Sequence, residues 1–534
     1  MHASLFLLAI LGAPGDTVPL YTNLGDHQYT ITTAVPKAQA YFNQGLRLYY
    51  AFNHAEAIRA FREAQRQDPT CGMCFWGEAL AWGPNINLPM DDAAGATAHQ
   101  AISRAVALRN QGSRLERDLI VALAARYAPT PLINRSPLDS AWARALADIV
   151  RSSPGDIEAG VLYAEALMTL RPWNYWTAEG TLQPGMAQAI AQLEGALARN
   201  PSHPGACHFF IHAVEAVQPE RAVECAERLA ELMPGAGHLV HMPGHIYIRV
   251  GRYLDAIRAN EHAVHADETY IRDQQPGVGV YTAGYYPHNY DFMAFAAAMA
   301  GRRAQSLAAA DRLAELAAPM MAEAGMMFTQ HHWSRRLQLR VRFERWEEIL
   351  DTPVPAVELA HARAMWHYAR GRALVAAGRL DEARADLAEL QAACENPDLQ
   401  GARLEFNESD AILRIAALVL GGRIEAAAGR HEAAITLLQH AARAEDALSY
   451  GEPPDWTVPV RHDLGAVLLA AGRAAEAEEA FRSDLRRFPA NGWALAGLVE
   501  ALEARGEGSA AREVRAELER VAASADTPMR SAKH

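Results

Sequence analysis

The sequence predicts an all-α protein built from stacked helix pairs. Long stretches rich in Ala, Leu, Glu and Arg carry few Gly or Pro residues and almost none of the period-two alternation that is typical of strands. Hydrophobic residues make up 50% of the chain and charged residues 21%, which is typical of a folded, soluble protein. Small and aromatic residues return at the same offsets in several segments, which indicates a repeat architecture rather than separate globular domains.

The repeat pattern is clearest towards the two ends of the chain. From Tyr41 the sequence reads YFNQGLRLYYAFNHAEAIRAFREAQRQDP. Three C-terminal segments share its offsets and place a glycine at the turn between the two helices: Gly378, Gly429 and Gly472. This pattern resembles the tetratricopeptide repeat, a 34-residue helix pair. The resemblance implies a right-handed superhelix of stacked helix pairs.

The strength of the pattern divides the chain into seven segments. They are a signal-like segment at 1–15, N-terminal repeat units at 35–84, a divergent helical segment with an aromatic insertion at 85–200, histidine-rich repeat units at 201–320, an irregular helical connection at 321–355, C-terminal repeat units and a cap at 356–523, and a disordered tail at 524–534. Long insertions between repeat helices often line a binding site.

Net charge and hydropathy favour some partners and locations over others. A net charge of −13 argues against nucleic acid, and we expect no transmembrane segment. The apolar run 5–11 resembles the centre of a secretory signal without the basic residues that precede one. A periplasmic or secreted location is therefore favoured over the cytoplasm. Cys71 and Cys74 are compatible with a disulfide, half of a metal site, or packing in a helix turn.

Histidines are concentrated in one part of the chain. Of 21 histidines, eight lie between His203 and His265. The segment GAGHLVHMPGHIYIRVGRYLDA carries three of them, which share one face if its helix is continuous. Pro243 offers an alternative, in which the helix begins at that proline and the two preceding histidines lie in the approach to it.

The resemblance also implies which side chains face the concave groove of the superhelix, because the first helix of each pair lines it. In that register His208, Glu215 and the three later histidines face a shared surface. Candidate ligand-binding residues near it are Tyr286, His288, Asn289, Trp173 and Trp176. The two tryptophans belong to the aromatic insertion, where packing against a neighbouring unit explains them equally well.

Imidazoles one helical turn apart can bind a single metal ion. The candidate metal ligands are His208, His212, His238, His241 and His245. Zinc is the default ion, and copper or iron also suits such ligands. Two alternatives need no metal: a histidine-lined groove for a ligand, and structural packing. His331 and His332 lie outside the repeat register, and we interpret them as a surface feature or a loop contact.

These observations favour a repeat scaffold whose concave groove binds a peptide, protein or small-molecule ligand together with a metal ion. The alternative is a metal-dependent enzyme, hydrolytic or oxidative, that uses the same scaffold. In that case a metal-bound water is the expected nucleophile and Glu215 the expected base. The sequence signatures of common hydrolases and nucleotide-binding proteins are absent.

Overall fold

The computed structural model describes residues 18–130 and 132–530. Within these residues the regular structure is helical, and extended pairing is limited to two isolated bridges, Trp176–Leu182 and Arg403–Glu408. The predicted all-α class is therefore confirmed. None of the helices in the described residues is both long enough and apolar enough to cross a membrane.

The described residues form two compact units. The N-terminal unit comprises residues 18–246 and 262–282, and the C-terminal unit comprises 247–261 and 283–530. The N-terminal unit contains the helices Pro36–Tyr50, His54–Gln67, Gly72–Ala81, Asp92–Leu108, Arg114–Ala124, Ser136–Ser152, Ile157–Thr169, Met186–Arg199, Pro204–Val214, Val223–Leu232 and Gly237–His241. The helices Pro243–Arg249 and Tyr253–Gln274 contain the points where the chain passes between units.

The C-terminal unit continues the same arrangement of consecutive helices. Its helices are Tyr286–Met299, Arg303–Ala317, Met327–Arg342, Trp346–Leu350, Ala360–Ala376, Leu380–Cys394, Ser409–Ala427, His431–Asp446, Val460–Ala470, Ala474–Arg487, Gly492–Ala504 and Gly508–Ala522. The predicted irregular connection at 321–355 thus contains a regular 16-residue helix, Met327–Arg342.

The repeat spacing has a direct packing cause. The buried Phe61 ring lies between two glycines, Gly45 on the preceding helix and Gly77 on the following one. A Cβ atom would come within 2.7 Å of this ring at Gly45 and 2.4 Å at Gly77, closer than carbon atoms can approach. Glycine is therefore required on both sides of the aromatic ring, and three helices pack together through one side chain.

The structure adds detail to two features of the sequence, the cysteine pair and the turn glycines. Cys71 and Cys74 form a disulfide at the start of the Gly72–Ala81 helix. Gly378, Gly429 and Gly472 all have positive φ, between 73° and 76°, as the turn between paired helices requires. The signal-like segment 1–15 lies outside the described residues.

The tail differs from its predicted disorder. Asp526 accepts hydrogen bonds from the backbone N–H groups of Arg303 and Ala304, at 2.6 and 2.9 Å. These donors belong to the first turn of the Arg303–Ala317 helix, where backbone N–H groups have no intrahelical acceptor. Residues 524–530 are thus tied to a helix N-terminus, and residues 531–534 lie outside the described part.

We expect Asp526→Ala to lower the free energy of unfolding of the C-terminal unit by about 1 kcal/mol, the usual cost of losing a side-chain cap. The loss should appear as faster amide hydrogen exchange at Arg303 and Ala304 and a lower melting temperature. Thr527→Ala, in the same tail, is the control and should change neither. Equal exchange in both variants would contradict the cap.

Candidate metal centre

Three helices supply the predicted metal ligands, and His245 lies on the third of them, Pro243–Arg249. His208 and His212 lie one turn apart on the Pro204–Val214 helix, and Glu215 directly follows its last residue. His238 and His241 lie on the short Gly237–His241 helix. We call these residues, together with His245, the histidine cluster.

The predicted continuous helix through the three later histidines is interrupted. The Gly237–His241 helix ends before Met242, and a new helix begins at Pro243. Pro243 has no N–H to continue the first helix, which is the physical reason for the break. His241 and His245 nonetheless converge, with their Nε2 atoms 2.8 Å apart.

The histidine cluster does not line an open groove as predicted. Its six side chains belong to residues that are between 0% and 3% exposed. The repeat register predicts an exposed position because the first helix of each pair lines the concave groove. In the structure they form a buried polar group, and such groups are stable only when their hydrogen-bonding atoms are satisfied.

Glu215 holds two of the imidazoles. Its Oε1 lies 2.9 Å from Nδ1 of His212, and its Oε2 lies 2.6 Å from Nδ1 of His245. Burial raises the pKa of the Glu215 carboxyl, but the two imidazoles outweigh burial and lower the pKa to about 2. An ionised carboxylate can only accept hydrogen bonds, so both Nδ1 atoms carry the proton. The Nε2 atoms of both rings therefore present lone pairs.

His208 is fixed in the same tautomer by a different group. Its Nδ1 lies 2.7 Å from the backbone oxygen of Tyr50. Tyr50 is the last residue of the Pro36–Tyr50 helix, where backbone carbonyls lack an intrahelical donor. A carbonyl only accepts, so Nδ1 of His208 donates and Nε2 has a lone pair. A Cβ at Gly205 would lie 2.4 Å from the Tyr50 ring, so glycine there allows this close approach.

The Nε2 atoms of the cluster face one another. His208 and His238 have Nε2 atoms 3.2 Å apart. Two groups of three residues each bring one ligand atom per residue within 4.8 Å of the others. The groups are His208, His212 and His238, and His212, Glu215 and His245. Nε2 of His212 is buried and has no hydrogen-bond partner. An unsatisfied buried acceptor costs about 1–3 kcal/mol, so its persistence needs a cause.

Burial favours the neutral form of His208, His212 and His238. It lowers the pKa of His208 and of His238 well below the usual value, and neighbouring imidazoles lower both further. The pKa of His212 is also lowered by burial, although Glu215 partly opposes this. Neutral imidazole is the form that binds metal ions.

Phe52 lies against the cluster in a strained backbone conformation. Its φ is 55°, and it occupies the turn between paired helices where other units have glycine. Its ring centroid lies 4.5 Å from that of His208 and 5.3 Å from that of His238. A left-handed backbone at a bulky residue persists only when its surroundings compensate for it. The packing of this ring on the imidazoles is such a compensation.

The aromatic insertion covers the cluster on another side. The Trp173 ring lies edge-on to His212 with centroids 5.1 Å apart, and its Nε1 donates to Asn87. Nε1 of Trp176 donates to the backbone oxygen of Ala213. Trp173 also has positive φ, 63°. Both tryptophans therefore contact the helix that carries His208 and His212.

The remaining predicted residues lie in the C-terminal unit. Tyr286 and Asn289 are buried on the Tyr286–Met299 helix, next to His288. Their predicted place beside the histidine cluster stays a prediction. The interpretation of His331 and His332 as a surface feature or a loop contact is wrong: both are at most 1% exposed and lie within the Met327–Arg342 helix.

A second group in the N-terminal unit, formed by His27, Glu158 and His203, has ligand atoms within 4.8 Å but different hydrogen bonding. Nδ1 of His203 accepts from the backbone N–H of Ala206 at 3.1 Å. The neutral ring therefore carries its proton on Nε2, which donates to Glu158 at 3.2 Å. Tyr50 donates to the same carboxylate. This arrangement suits a satisfied buried carboxylate and leaves no lone pair of His203 for a metal.

Sequence reasoning missed Tyr50 and Phe52 as parts of the site. A signal for Phe52 existed, because an aromatic residue stands where later units have the turn glycine. Tyr50 contributes a backbone oxygen and a hydroxyl, and no spacing in the sequence indicates either contact.

Comparisons with known proteins agree with this fold. The tetratricopeptide repeat family model matches residues 38–71, which confirms the predicted family in that segment. No curated protein matches the sequence. Similar solved structures include the human IFIT1 dimer with m7Gppp-AAAA, at 13% identity over 92% of each chain with a TM-score of 0.32. Another is the P58(IPK) TPR domain, at 11% identity over 88% of this chain and 99% of that one, with a TM-score of 0.20. Scores this low carry no argument about ligands.

We expect Phe52→Ala to destabilise the protein by about 3 kcal/mol, because it removes a buried ring while keeping the left-handed backbone. Phe52→Gly should be more stable than Phe52→Ala by about 1 kcal/mol, since glycine adopts positive φ without strain. Thermal or urea denaturation of the two variants measures the difference. An alanine variant as stable as the glycine variant would show that the backbone at Phe52 is not strained.

Proposed function

We propose that this tetratricopeptide repeat protein binds a transition-metal ion in its histidine cluster. Nε2 atoms of His208, His212 and His238 are the proposed ligands of one ion. His241 and His245 supply a further pair of Nε2 atoms beside it. The helix pairs serve as the scaffold that holds these imidazoles in place.

The observation that carries the proposal is Nε2 of His212. Its ring donates from Nδ1 to Glu215, so Nε2 has a lone pair, and this atom is buried without a hydrogen-bond partner. A metal ion shared with His208 and His238 would use that lone pair. Two nitrogens bound to zinc at 2.0–2.1 Å in tetrahedral geometry lie about 3.3 Å apart. The separation of 3.2 Å between Nε2 of His208 and of His238 is close to this value.

The donor set favours particular ions. Imidazole nitrogens suit zinc, copper, iron and nickel, whereas magnesium and calcium prefer oxygen ligands. Burial lowers the pKa of His208, His212 and His238, which favours the neutral form that binds a metal. Zinc remains the default, and copper or iron fits the same ligands.

Glu215 suits an orienting role better than the predicted role of a general base. Both of its oxygens accept from imidazole Nδ1 atoms, and the residue is fully buried. Metal-binding histidines commonly donate their other nitrogen to a carboxylate or a backbone carbonyl, which fixes the ring and raises its basicity. Glu215 supplies the carboxylate and Tyr50 the carbonyl.

Burial also bears on the choice between an enzyme and a binding protein. A hydrolytic metal centre needs a position that both water and substrate can reach. The cluster is buried, with the rings of Phe52 and Trp173 packed on it. These contacts favour an ion that is held or stored over an exposed catalytic ion. A ligand for the scaffold's concave face stays a prediction from the repeat family.

We expect protein purified without a metal-binding tag to contain about one tightly held zinc, copper or iron ion per chain. His212→Ala should lose it, because the substitution removes one of the three proposed ligands. Elemental analysis by mass spectrometry gives the metal content, and circular dichroism reports whether the variants fold.

His99→Ala, in the same unit but outside the cluster, is the control and should retain the full metal content. An unsubstituted chain that binds no metal after reconstitution would contradict the proposal. So would a folded His212→Ala variant with unchanged metal content.

We expect Glu215→Gln to weaken metal binding by about 10–100-fold, the usual effect of losing an orienting partner. A glutamine oxygen can accept from one imidazole, but its NH₂ group opposes the N–H of the other. Competition with a chromophoric chelator measures the affinity. Glu224→Gln, at an exposed position of the same unit, should bind as tightly as the unsubstituted chain, and the same result for Glu215→Gln would remove the orienting role.

A further inference from the structure

The C-terminal unit contains a second buried group with metal-ligand geometry. Asp291 lies on the Tyr286–Met299 helix and His332 on the Met327–Arg342 helix. Glu405 lies in the long connection between the Leu380–Cys394 and Ser409–Ala427 helices. One ligand atom of each lies within 4.8 Å of the other two. Two oxygen donors and one nitrogen donor thus converge from three separate elements.

The group is largely enclosed. Asp291 is 2% exposed and His332 is 1% exposed, while the Glu405 side chain is 18% exposed. Nε2 of His332 lies 2.7 Å from Oε1 of Glu405. Nη2 of Arg335 lies 3.1 Å from Oδ2 of Asp291. Glu405 is therefore the member of the group nearest to solvent, and an ion would enter on its side.

Atoms around the group lack hydrogen-bond partners. Oε2 of Glu405 is buried and has none. Asp455, whose backbone oxygen also accepts from Arg335, is 2% exposed, and its Oδ1 likewise has none. Nε2 of His331 lies 3.6 Å from that oxygen, beyond hydrogen-bond distance. Unsatisfied carboxylate oxygens in a buried core indicate a missing positive partner.

The charges of this core point the same way. Three carboxylates, those of Asp291, Glu405 and Asp455, share it with Arg335 and His332. Buried charges are costly unless they are paired, and Arg335 is a single cation beside the three carboxylates. A divalent ion bound by Asp291, His332 and Glu405 would supply the remaining positive charge.

Contacts within the connection that carries Glu405 hold it in position. It is closed by the isolated bridge Arg403–Glu408, and the side chain of Asn407 donates to Oδ2 of Asp455 at 2.8 Å. The N-terminal unit has a comparable inter-helix insertion, closed by the bridge Trp176–Leu182, which contacts the histidine cluster. Insertions of this kind between repeat helices often carry binding residues.

We propose that Asp291, His332 and Glu405 bind a second, divalent metal ion of the class that prefers carboxylate with imidazole, such as Mn²⁺ or Fe²⁺. The histidine cluster offers imidazole nitrogens, whereas this group offers two carboxylates and one imidazole, so the two sites differ in donor chemistry. The second site lies wholly within the C-terminal unit and stands independently of the first.

The test is titration of the metal-depleted full chain with Mn²⁺, with electron paramagnetic resonance reporting free Mn²⁺. We expect one bound equivalent, with affinity reduced at least tenfold in Glu405→Gln and binding lost in His332→Ala. Glu405→Gln is nearly isosteric and keeps an acceptor for His332, so its fold should survive. Glu408→Gln, in the same connection but exposed, should bind normally, and so should His212→Ala.

An unsubstituted chain that binds no Mn²⁺ would overturn the proposal, as would a Glu405→Gln variant with unchanged affinity. The group would then be a network of ion pairs only. Because His212→Ala removes the histidine cluster alone, failure at the second site is distinguishable from failure at the first.

Discussion

The histidine cluster depends on the Glu215 carboxylate, which accepts hydrogen bonds from the imidazoles of His212 and His245. Each oxygen accepts from one Nδ1, so a single buried charge sets the tautomer of both His212 and His245. The carboxylate is held ionised by these donors, and the rings are held in orientation by the carboxylate. Without this carboxylate, both Nδ1 atoms lose the acceptor that fixes their tautomers. The chemistry available at their Nε2 atoms therefore follows from a residue that is not itself among the proposed ligands.

Helix ends determine the rest of the cluster. His208 takes its tautomer from the carbonyl of Tyr50, which is available because the Pro36–Tyr50 helix ends at that residue. Two residues later Phe52 turns the chain with a positive φ and places its ring on the same imidazole. A glycine at this turn would form the helix pair with less strain. The packing of the Phe52 ring on His208 offsets this local cost, which links the strained turn to the site.

The repeat fold is readable from the sequence because its determinants are local. Phe61 between Gly45 and Gly77 is a steric requirement, so the same spacing recurs wherever the packing recurs. The gathering of the five histidines follows from the same register. Their burial does not, because it depends on the insertion with Trp173 and on a turn residue from the first helix pair, far away in sequence. His332 was misjudged for a related reason: its partner Glu405 is 73 residues away.

The sequence spacing brings the imidazoles together, but the hydrogen-bond partner of Nδ1 determines whether Nε2 can bind a metal ion. His203 and His208 lie on the same stretch of chain, both buried and both near Tyr50. Nδ1 of His203 accepts a backbone N–H, so its Nε2 is a donor and satisfies Glu158. Nδ1 of His208 donates to a carbonyl, so its Nε2 is an acceptor and is open to a metal. The Nδ1 contact of each ring therefore distinguishes a hydrogen-bond donor from a metal ligand. That contact depends on where the helices begin and end.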